Sequence, residues 1–317
     1  MHPRPRPRPR PGPVPVYLGL DGGGTSTTVV ATDAAGRELA RVRGASGIVD
    51  PADPAACAGA LADLIRRALD AAGAAPPAAA LCCALAGAGR EPERRVVRDA
   101  LARLELAAEI RVVGDIEAAF HDAFGAGPGL LLIAGTGSIA WGRAEDGRSA
   151  RAGGWGHLLG DEGSGYALGL AALRAVVRAH DGRAPATDLR EPVMRHTHAR
   201  APEELIAWAA SAAKADVAAL APRVADAARQ GDAVAAAIVQ QAGRDLADHI
   251  RALHARLGPW ATPPAVAMAG GLLAGTGPLR PTADAAIRAL RLPLRVLDRP
   301  VDAARGAAAM ARPAPPR

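Results

Sequence analysis

The sequence predicts a mixed α/β protein built from two related domains. Short apolar strands alternate with amphipathic helical stretches, which is the pattern of α/β folds. A unit of strand, glycine-rich turn and strand opens at residue 17 and occurs again 113 residues later, with its glycines at matching offsets. A length of 317 residues suits two domains. The repeat indicates two domains that face each other across a cleft.

The first repeat is predicted from its periodicity. Apolar and β-branched runs indicate strands at residues 17–20 and 27–32, and a third strand at 37–42 returns after a hairpin turn. Helical periodicity covers residues 54–72 and 91–104. Further apolar strands are expected at 78–86 and 110–113.

The second repeat is followed by a mostly helical region. Strands are expected at residues 130–133 and 139–143, and alanine-rich helices at 164–180, 202–229 and 232–257. The predicted chain ends with strand 265–269, helix 278–290, strand 294–297 and helix 301–311. We therefore expect an N-terminal domain at 17–116, onto which a C-terminal helix (301–312) packs back, and a C-terminal domain at 117–300.

Composition excludes several classes of function. Half of the residues are apolar and 22% are charged, as in globular proteins. Aromatic residues make up 3%, too few for stacking platforms along single-stranded nucleic acid. Four of the six net positive charges are arginines in a Pro/Arg arm, residues 1–16, which we expect to be disordered. We expect no nucleic-acid partner.

The location and redox state are predicted from the same features. The arm lacks the apolar stretch of a signal peptide, and no run of 18 apolar residues is present. Cys57, Cys82 and Cys83 fit neither a disulfide framework nor a zinc site. A cytoplasmic protein without a membrane partner is expected.

Two glycine-rich turns are candidates for phosphate binding. Consecutive glycines after a strand let backbone N–H groups converge on an anion. One such turn follows Asp21, and the other is Gly135-Thr136-Gly137-Ser138 in the second repeat. Two turns at equivalent places favour a phosphate clamp over plain tight turns. Lys214 is the only lysine, and no P-loop or dinucleotide-binding motif is present.

Four motifs occurring in one order resemble a known family. They are Leu-Asp-Gly-Gly-Gly-Thr at residues 20–25, Gly-Thr-Gly-Ser at 135–138, Gly-Gly-Trp-Gly-His-Leu-Leu-Gly-Asp-Glu-Gly-Ser at 153–164 and Ala-Gly-Gly at 269–271. Together they resemble the N-acetylglucosamine kinase branch of the BadF/BadG/BcrA/BcrD ATPase family, in the actin-like, hexokinase-type superfamily. The resemblance covers residues 17–311.

The resemblance implies two ribonuclease-H-like (actin-like ATPase) domains with a nucleotide and sugar cleft between them, and ATP and Mg²⁺ as cofactors. Asp21 would hold Mg²⁺. The phosphate contacts would be Gly22, Gly23, Gly24, Thr25, Gly135, Thr136, Gly137 and Ser138. The adenosine contacts would be Gly270, Gly271 and Ala228. The sugar contacts would be Gly154, Trp155, Gly156 and Asp161.

Asp115 matches the family's catalytic aspartate at the end of the strand 110–113. A sugar hydroxyl becomes a good nucleophile when a carboxylate accepts its proton during attack on the γ-phosphorus. The alternative is that Asp115 only caps the helix that follows. The two roles are compatible, because α/β folds place their chemistry at strand ends.

The sugar-binding residues also have purely structural alternatives. Trp155 either offers a flat apolar face to the sugar or anchors the core. Asp161 either binds sugar hydroxyls or caps the next helix. His157 is expected to pack locally, and Glu162 to favour the helix N-terminus through the dipole.

The sequence departs from the family pattern at two places. Ser26 stands where relatives carry lysine, which predicts weaker phosphate binding at the first glycine turn. Residues 44–50 contain no asparagine, the residue type with which relatives contact the sugar there. The identity of the sugar therefore stays open among glucosamine, N-acetylglucosamine, N-acetylmuramate and related sugars.

The function expected is ATP-dependent phosphorylation of an amino sugar, N-acetylglucosamine or glucosamine, by a homodimeric kinase with Asp115 as base. Two alternatives stay open. One is an ATPase of the BadF type that energises a partner protein, and the other is a non-catalytic sugar sensor. An iron–sulfur cluster on Cys82 and Cys83 is disfavoured, because adjacent residues of a strand face opposite sides.

Overall fold

The computed structural model describes residues 15–23, 26–45, 54–88 and 91–313. Most of the predicted arm, Gly24, Thr25 and residues 46–50 lie outside these ranges. The chain divides into two compact units, one formed by Met1–Asp122 with Asp302–Arg317 and the other by Ala123–Val301. Each unit contains one five-stranded mixed sheet.

The first unit is built on a sheet whose central strand is the first in sequence. Its strands are β1 (Tyr17–Gly22), β2 (Thr27–Thr32), β3 (Glu38–Gly44), β4 (Ala78–Leu85) and β5 (Ala107–Gly114). The order across the sheet is β3-β2-β1-β4-β5. Strand β1 pairs antiparallel with β2 and parallel with β4.

The described residues of the first unit also form four helices. They are α1 (Pro54–Ala71), α2 (Glu91–Ala102), α3 (Asp115–Phe124) and the last helix of the chain, α11 (Ala303–Ala311). Leu18, Leu20 and Ile65 are fully buried in a core between the sheet and α1. This core is aliphatic, as the composition predicts.

The second unit repeats the sheet topology of the first. Its strands are β6 (Gly129–Ala134), β7 (Ser138–Arg143), β8 (Ser149–Gly153), β9 (Ala265–Ala269) and β10 (Arg295–Val296). The order is β10-β9-β6-β7-β8, so β6 occupies the place that β1 has in the first sheet. Strand β6 likewise pairs antiparallel with its successor and parallel with β9. The predicted internal repeat is therefore present in the strand order.

The second unit carries the helical region. Its helices are α4 (Gly165–His180), α5 (Arg190–Thr197), α6 (Leu205–Ser211), α7 (Lys214–Ala218), α8 (Ala221–Arg229), α9 (Ala233–Leu257) and α10 (Arg280–Ala289), with a 3₁₀ turn at Pro202–Glu204. No helix within the described ranges is long and apolar enough to cross a membrane.

The prediction of one helix over residues 202–229 is wrong. Ala212 and Ala213 have extended backbones between α6 and α7, and Asp216 accepts a hydrogen bond from the Ala213 N–H to start α7. Pro222 then starts α8, because proline fits a first turn but not a helix interior. Strand β8 and helix α5 were not predicted, and both have weakly patterned, half-exposed sequences.

Helix α11 packs its backbone directly against two other elements of the first unit. A Cβ placed on Gly19 of β1 would collide with the backbone of Ala308, and one on Gly306 would collide with the Ala118 carbonyl in α3. At one end of α11, Asp122 accepts hydrogen bonds from Arg305 Nε at 2.7 Å and from the Asp302 backbone N–H at 3.1 Å. Glycine permits these approaches because it has no Cβ.

Replacing Gly306 by alanine tests this packing. Alanine raises intrinsic helix propensity by about 1 kcal/mol, but the added methyl group must displace the backbone of α3. We expect a net loss of about 2 kcal/mol or more in unfolding free energy, measured as a lower urea midpoint. Gly59→Ala in α1 is the matched control, since nothing lies within 4 Å of its Cβ position. That variant should be stabilised, and equal behaviour of the two variants would contradict the packing argument.

Candidate active site

The carboxylates Asp21 and Asp115 lie at the same edge of the first sheet. Gly22 of β1 and Gly114 of β5 both pair with Leu85 of β4, so the three residues form one row across parallel strands. Asp21 directly precedes this row and Asp115 directly follows it. Two strand spacings separate β1 from β5, or about 10 Å. The sheet therefore brings both predicted residues to its carboxyl-terminal edge.

Both carboxyl groups hold their protons more tightly than free aspartate. Burial, assisted by the charges of Asp115 and Asp302, raises the pKa of Asp21 to about 6. Burial also raises the pKa of Asp115, although the hydrogen bond from the Ile116 N–H, at 3.0 Å, opposes that shift. No ion pair to Lys or Arg neutralises either group among the residues described.

The Asp21 carboxyl group suits a magnesium ion. Mg²⁺ is commonly held by one or two carboxylates, together with water and phosphate oxygens. A divalent cation would also lower the pKa of Asp21, against the effects of burial and of the neighbouring Asp115 and Asp302 charges that raise it. The donor set at this edge therefore fits the predicted cofactor.

Asp115 is not the residue that caps α3. Its carboxylate accepts from the next residue, Ile116. Glu117 Oε1 reaches back to the Gly114 N–H at 3.4 Å, as the third residue of a capping box does, and binds Arg94 at 2.6 Å. Glu117 therefore contacts the N–H that precedes α3, while Asp115 accepts an N–H within its first turn, so a structural and a catalytic role for Asp115 stay compatible.

The first glycine turn is described only at its two ends. Gly22 ends β1, and the Gly23 N–H donates to the Ser26 carbonyl at 3.0 Å. Gly24 and Thr25 fall in a gap between the described ranges. Ser26, one of the two predicted departures from the family pattern, is exposed.

The second glycine turn is held by the N-terminus of α4. The Gly165 and Tyr166 N–H groups donate to the carbonyls of Gly135 and Thr136, at 2.8 and 3.3 Å. The Gly135 N–H closes the turn on the Gly137 carbonyl at 2.9 Å. These bonds hold the carbonyls of Gly135 and Thr136 on the N-terminus of α4.

Ser138 is bound inside the protein. Its hydroxyl donates to the Glu162 carbonyl at 2.6 Å, and the side chain is buried. Of the two hydroxyls in the second glycine turn, that of Thr136 is therefore the better placed for phosphate, because Thr136 is only half-buried.

The predicted adenosine contacts are brought together in part. Gly270 has a positive φ of 85° and packs on the Ala134 carbonyl, and a Cβ on Gly135 would lie 3.9 Å from the Gly271 nitrogen. The turn after β9 therefore adjoins the second glycine turn. Ala228 lies near the end of α8, half-buried against the core, and no described contact joins it to either turn.

Trp155 is not a core anchor. Its side chain is 64% exposed, and the Arg151 guanidinium lies 4.6 Å from the ring centroid. The flanking Gly154 and Gly156 have positive φ values of 70° and 79°, which non-glycine residues rarely adopt. Trp155 is thus exposed on a loop whose backbone conformation requires the two flanking glycines. His157 packs locally against Tyr166, as expected, with ring centroids 4.8 Å apart.

Asp161 is buried against the second glycine turn. Its Oδ1 accepts from the Ser138 N–H at 3.2 Å, and its Oδ2 contacts Lys214 Nζ at 2.6 Å. Asp161 itself has a positive φ of 60°. The helix-capping alternative for Asp161 is wrong, because Ser164 caps α4 by accepting from the Ala167 N–H. Lys214 was not predicted as a site residue, and its only signal in the sequence is that no other lysine exists.

Cys82 and Cys83 lie in the interior of the first sheet. Burial raises the pKa of Cys82 to about 12, and it raises that of Cys83 well above the ordinary value. Cys83 packs in the core with α1, and Cys82 packs with Ala307 of α11. Both thiols therefore behave as small core residues, as the alternating strand pattern predicts.

The fold defines a class of protein. Two units with one strand order, each with a glycine turn after its first strand, form the architecture of actin-like ATPases and hexokinase-type kinases. A solved glucokinase of the ROK family from Streptomyces griseus, in complex with glucose and AMPPNP, matches with a TM-score of 0.62. It covers 93% of this chain and 99% of its own, and at 17% identity it shows the fold alone.

The chain belongs to the BadF/BadG/BcrA/BcrD ATPase family, which matches residues 18–285. The family predicted from the motifs is thus confirmed. An N-acetylmuramic acid/N-acetylglucosamine kinase of Clostridium acetobutylicum is 32% identical over 74% of this chain and 78% of its own. An N-acetyl-D-glucosamine kinase of Dictyostelium discoideum is 30% identical over 76% and 80%. A solved structure from Chromobacterium violaceum, provisionally assigned as an N-acetylglucosamine kinase, is 29% identical, with a TM-score of 0.78 and coverage of 94% and 99%.

The raised pKa of Asp21 predicts a pH-dependent cost in stability. Well below pH 3.8, the ordinary pKa of the group, the carboxyl is protonated in both the folded and unfolded states, so it costs nothing. Above pH 6 the folded state must hold a buried charge, which costs about 3 kcal/mol. In metal-free protein, Asp21→Asn should therefore raise the unfolding free energy at pH 8, and the gain should shrink as the pH falls toward 4.

Urea unfolding across this pH range in EDTA would measure the effect. Asp63→Asn in α1 is the control, because its side chain is 80% exposed. It should change stability little at any pH. A gain for Asp21→Asn that does not depend on pH would contradict the assignment.

Proposed function

We propose that this protein is an ATP-dependent kinase that phosphorylates an amino sugar, N-acetylglucosamine or glucosamine. The named relatives act on N-acetylglucosamine, N-acetylmuramic acid or, for a Vibrio cholerae enzyme that is 28% identical, glucosamine. These acceptors share an amino-sugar ring. The observation that carries the proposal is the pair of half-buried carboxyl groups at the edge of the first sheet, in a chain of this family.

Asp115 is proposed as the general base. A base is most effective when its pKa lies near the working pH, and burial moves the pKa of Asp115 in that direction. Its carboxylate would accept the proton of the sugar hydroxyl while that oxygen attacks the γ-phosphorus, and ADP would leave. Asp115 also accepts the Ile116 N–H at 3.0 Å, and this hydrogen bond is compatible with the role of base.

The remaining roles follow the chemistry of each group. Asp21 would hold Mg²⁺, which when bound neutralises phosphate charge. The two glycine turns would orient the phosphates through backbone N–H groups, and Gly270 and Gly271 would lie beside the adenosine. Trp155 would offer its exposed face to the sugar ring. Gly154 and Gly156 would keep the loop around Trp155 open, and Asp161 would support the end of that loop.

A coupled assay of ADP release is the decisive test of this function. The panel would contain N-acetylglucosamine, glucosamine and N-acetylmuramic acid, with glucose as the control that lacks the amino group. We expect ADP release to depend on one or more of the amino sugars. ATP consumption at the same rate with and without every sugar would favour the partner-driving ATPase, and no consumption at all would favour a sugar sensor.

Asp115→Asn tests the base directly. The amide keeps the shape of the side chain but cannot accept the proton, so turnover should fall by about two to four orders of magnitude. Binding of sugar and ATP should weaken far less, because the groups that contact them are unchanged. Asp63→Asn should leave turnover unchanged. Turnover of folded Asp115→Asn protein within a few-fold of wild type would remove Asp115 from the mechanism.

The homodimer and the cytoplasmic location remain proposals. Light scattering of the purified full-length chain would measure the assembly. A mass of one chain at micromolar concentration would contradict the dimer.

A further inference from the structure

Lys214 is held at one place by the packing of α7 on α4. A Cβ on Gly169 would collide with the Val217 carbonyl, and one on Gly165 would lie 3.2 Å from the Ala218 side chain. The two glycines stand one helical turn apart on α4, so α7 approaches along one face of that helix. Lys214 begins α7, and the close approach directs its ammonium toward Asp161, 2.6 Å away.

The carboxylate that Lys214 meets lies against the second glycine turn. Asp161 is 5% exposed, while Lys214 is 35% exposed. The other oxygen of Asp161 accepts from Ser138, and a Cβ on Gly137 would lie 3.0 Å from that oxygen. A negative charge in contact with this turn would repel any phosphate that the turn receives, and it would do so strongly because the surroundings exclude water.

We propose that Lys214 is a positioning residue for nucleotide binding, which neutralises Asp161 and holds it on the Ser138 N–H so that the turn can accept phosphate. The inference rests on the proposed function, since it takes the second glycine turn as a phosphate site. Lys214 shares only its charge with the lysine expected in the first turn from the family pattern. Lys214 acts on the second turn indirectly, through Asp161.

Three variants separate neutralisation of charge from simple packing. Lys214→Met keeps the aliphatic length and removes the charge, and binding of Mg·ADP should weaken by about tenfold or more. Lys214→Arg keeps the charge, and its affinity should stay within a few-fold of wild type. The double variant Asp161→Asn with Lys214→Met removes both charges, and it should regain most of the lost Mg·ADP affinity.

Isothermal titration of the full-length proteins with Mg·ADP measures these affinities, and circular dichroism checks folding. Lys214→Met leaves a buried carboxylate without its partner and is the variant most prone to unfold. The double variant has no unpaired buried carboxylate. It can therefore still be measured if Lys214→Met does not fold. A packing role would leave the double variant as weak as Lys214→Met, because both lack the lysine.

The outcomes distinguish this inference from the proposed function. If wild type binds Mg·ADP and Lys214→Met binds it equally well, the positioning role is overturned while the kinase proposal stands. The same holds if the double variant fails to recover affinity. If folded wild type does not bind Mg·ADP at all, both proposals are overturned. Recovery in the double variant, together with retention in Lys214→Arg, supports neutralisation.

Discussion

The first unit depends on the absence of two side chains. Gly19 and Gly306 let α11 approach β1 and α3 at backbone distance, and no other residue fits either position without moving a backbone. Strand β1 carries Asp21, and α3 begins with Asp115. One helix from the end of the sequence therefore holds in place both elements that bear the proposed catalytic carboxylates.

In the second unit, hydrogen bonds hold the glycine turn at residues 135–138 in place, although the turn is not fully buried. The N-terminal amides of α4 bind two carbonyls of the turn, and Asp161 binds the Ser138 amide. Each bond uses a group that a helix start or a strand end leaves unpaired. The geometry of the turn is thus set by its neighbours before any ligand arrives.

Local signals explain what the sequence analysis predicted well. The strands that flank each glycine turn, the repeat and the family all rest on contiguous motifs, and the structure and the comparisons bear them out. The break within residues 202–229 was missed because alanine-rich sequence has helical composition on both sides of Ala212 and Ala213. The ion pair of Asp161 joins residues 53 positions apart, and no local pattern encodes such a contact. The capping role of Glu117 was readable in principle, since it stands three residues after Gly114.

The loop that displays Trp155 also leaves two leucines in water. Leu158 is 84% exposed and Leu159 is 80% exposed, although both are strongly apolar. Burying a side chain of this kind contributes about 1.5–3 kcal/mol, and the loop forgoes that contribution at both leucines. The folded chain therefore leaves apolar surface of this loop exposed, and burial of that surface would be favourable. Burial of the two leucines against another surface would release the water that contacts them and lower the free energy. A negative change in heat capacity would accompany that burial.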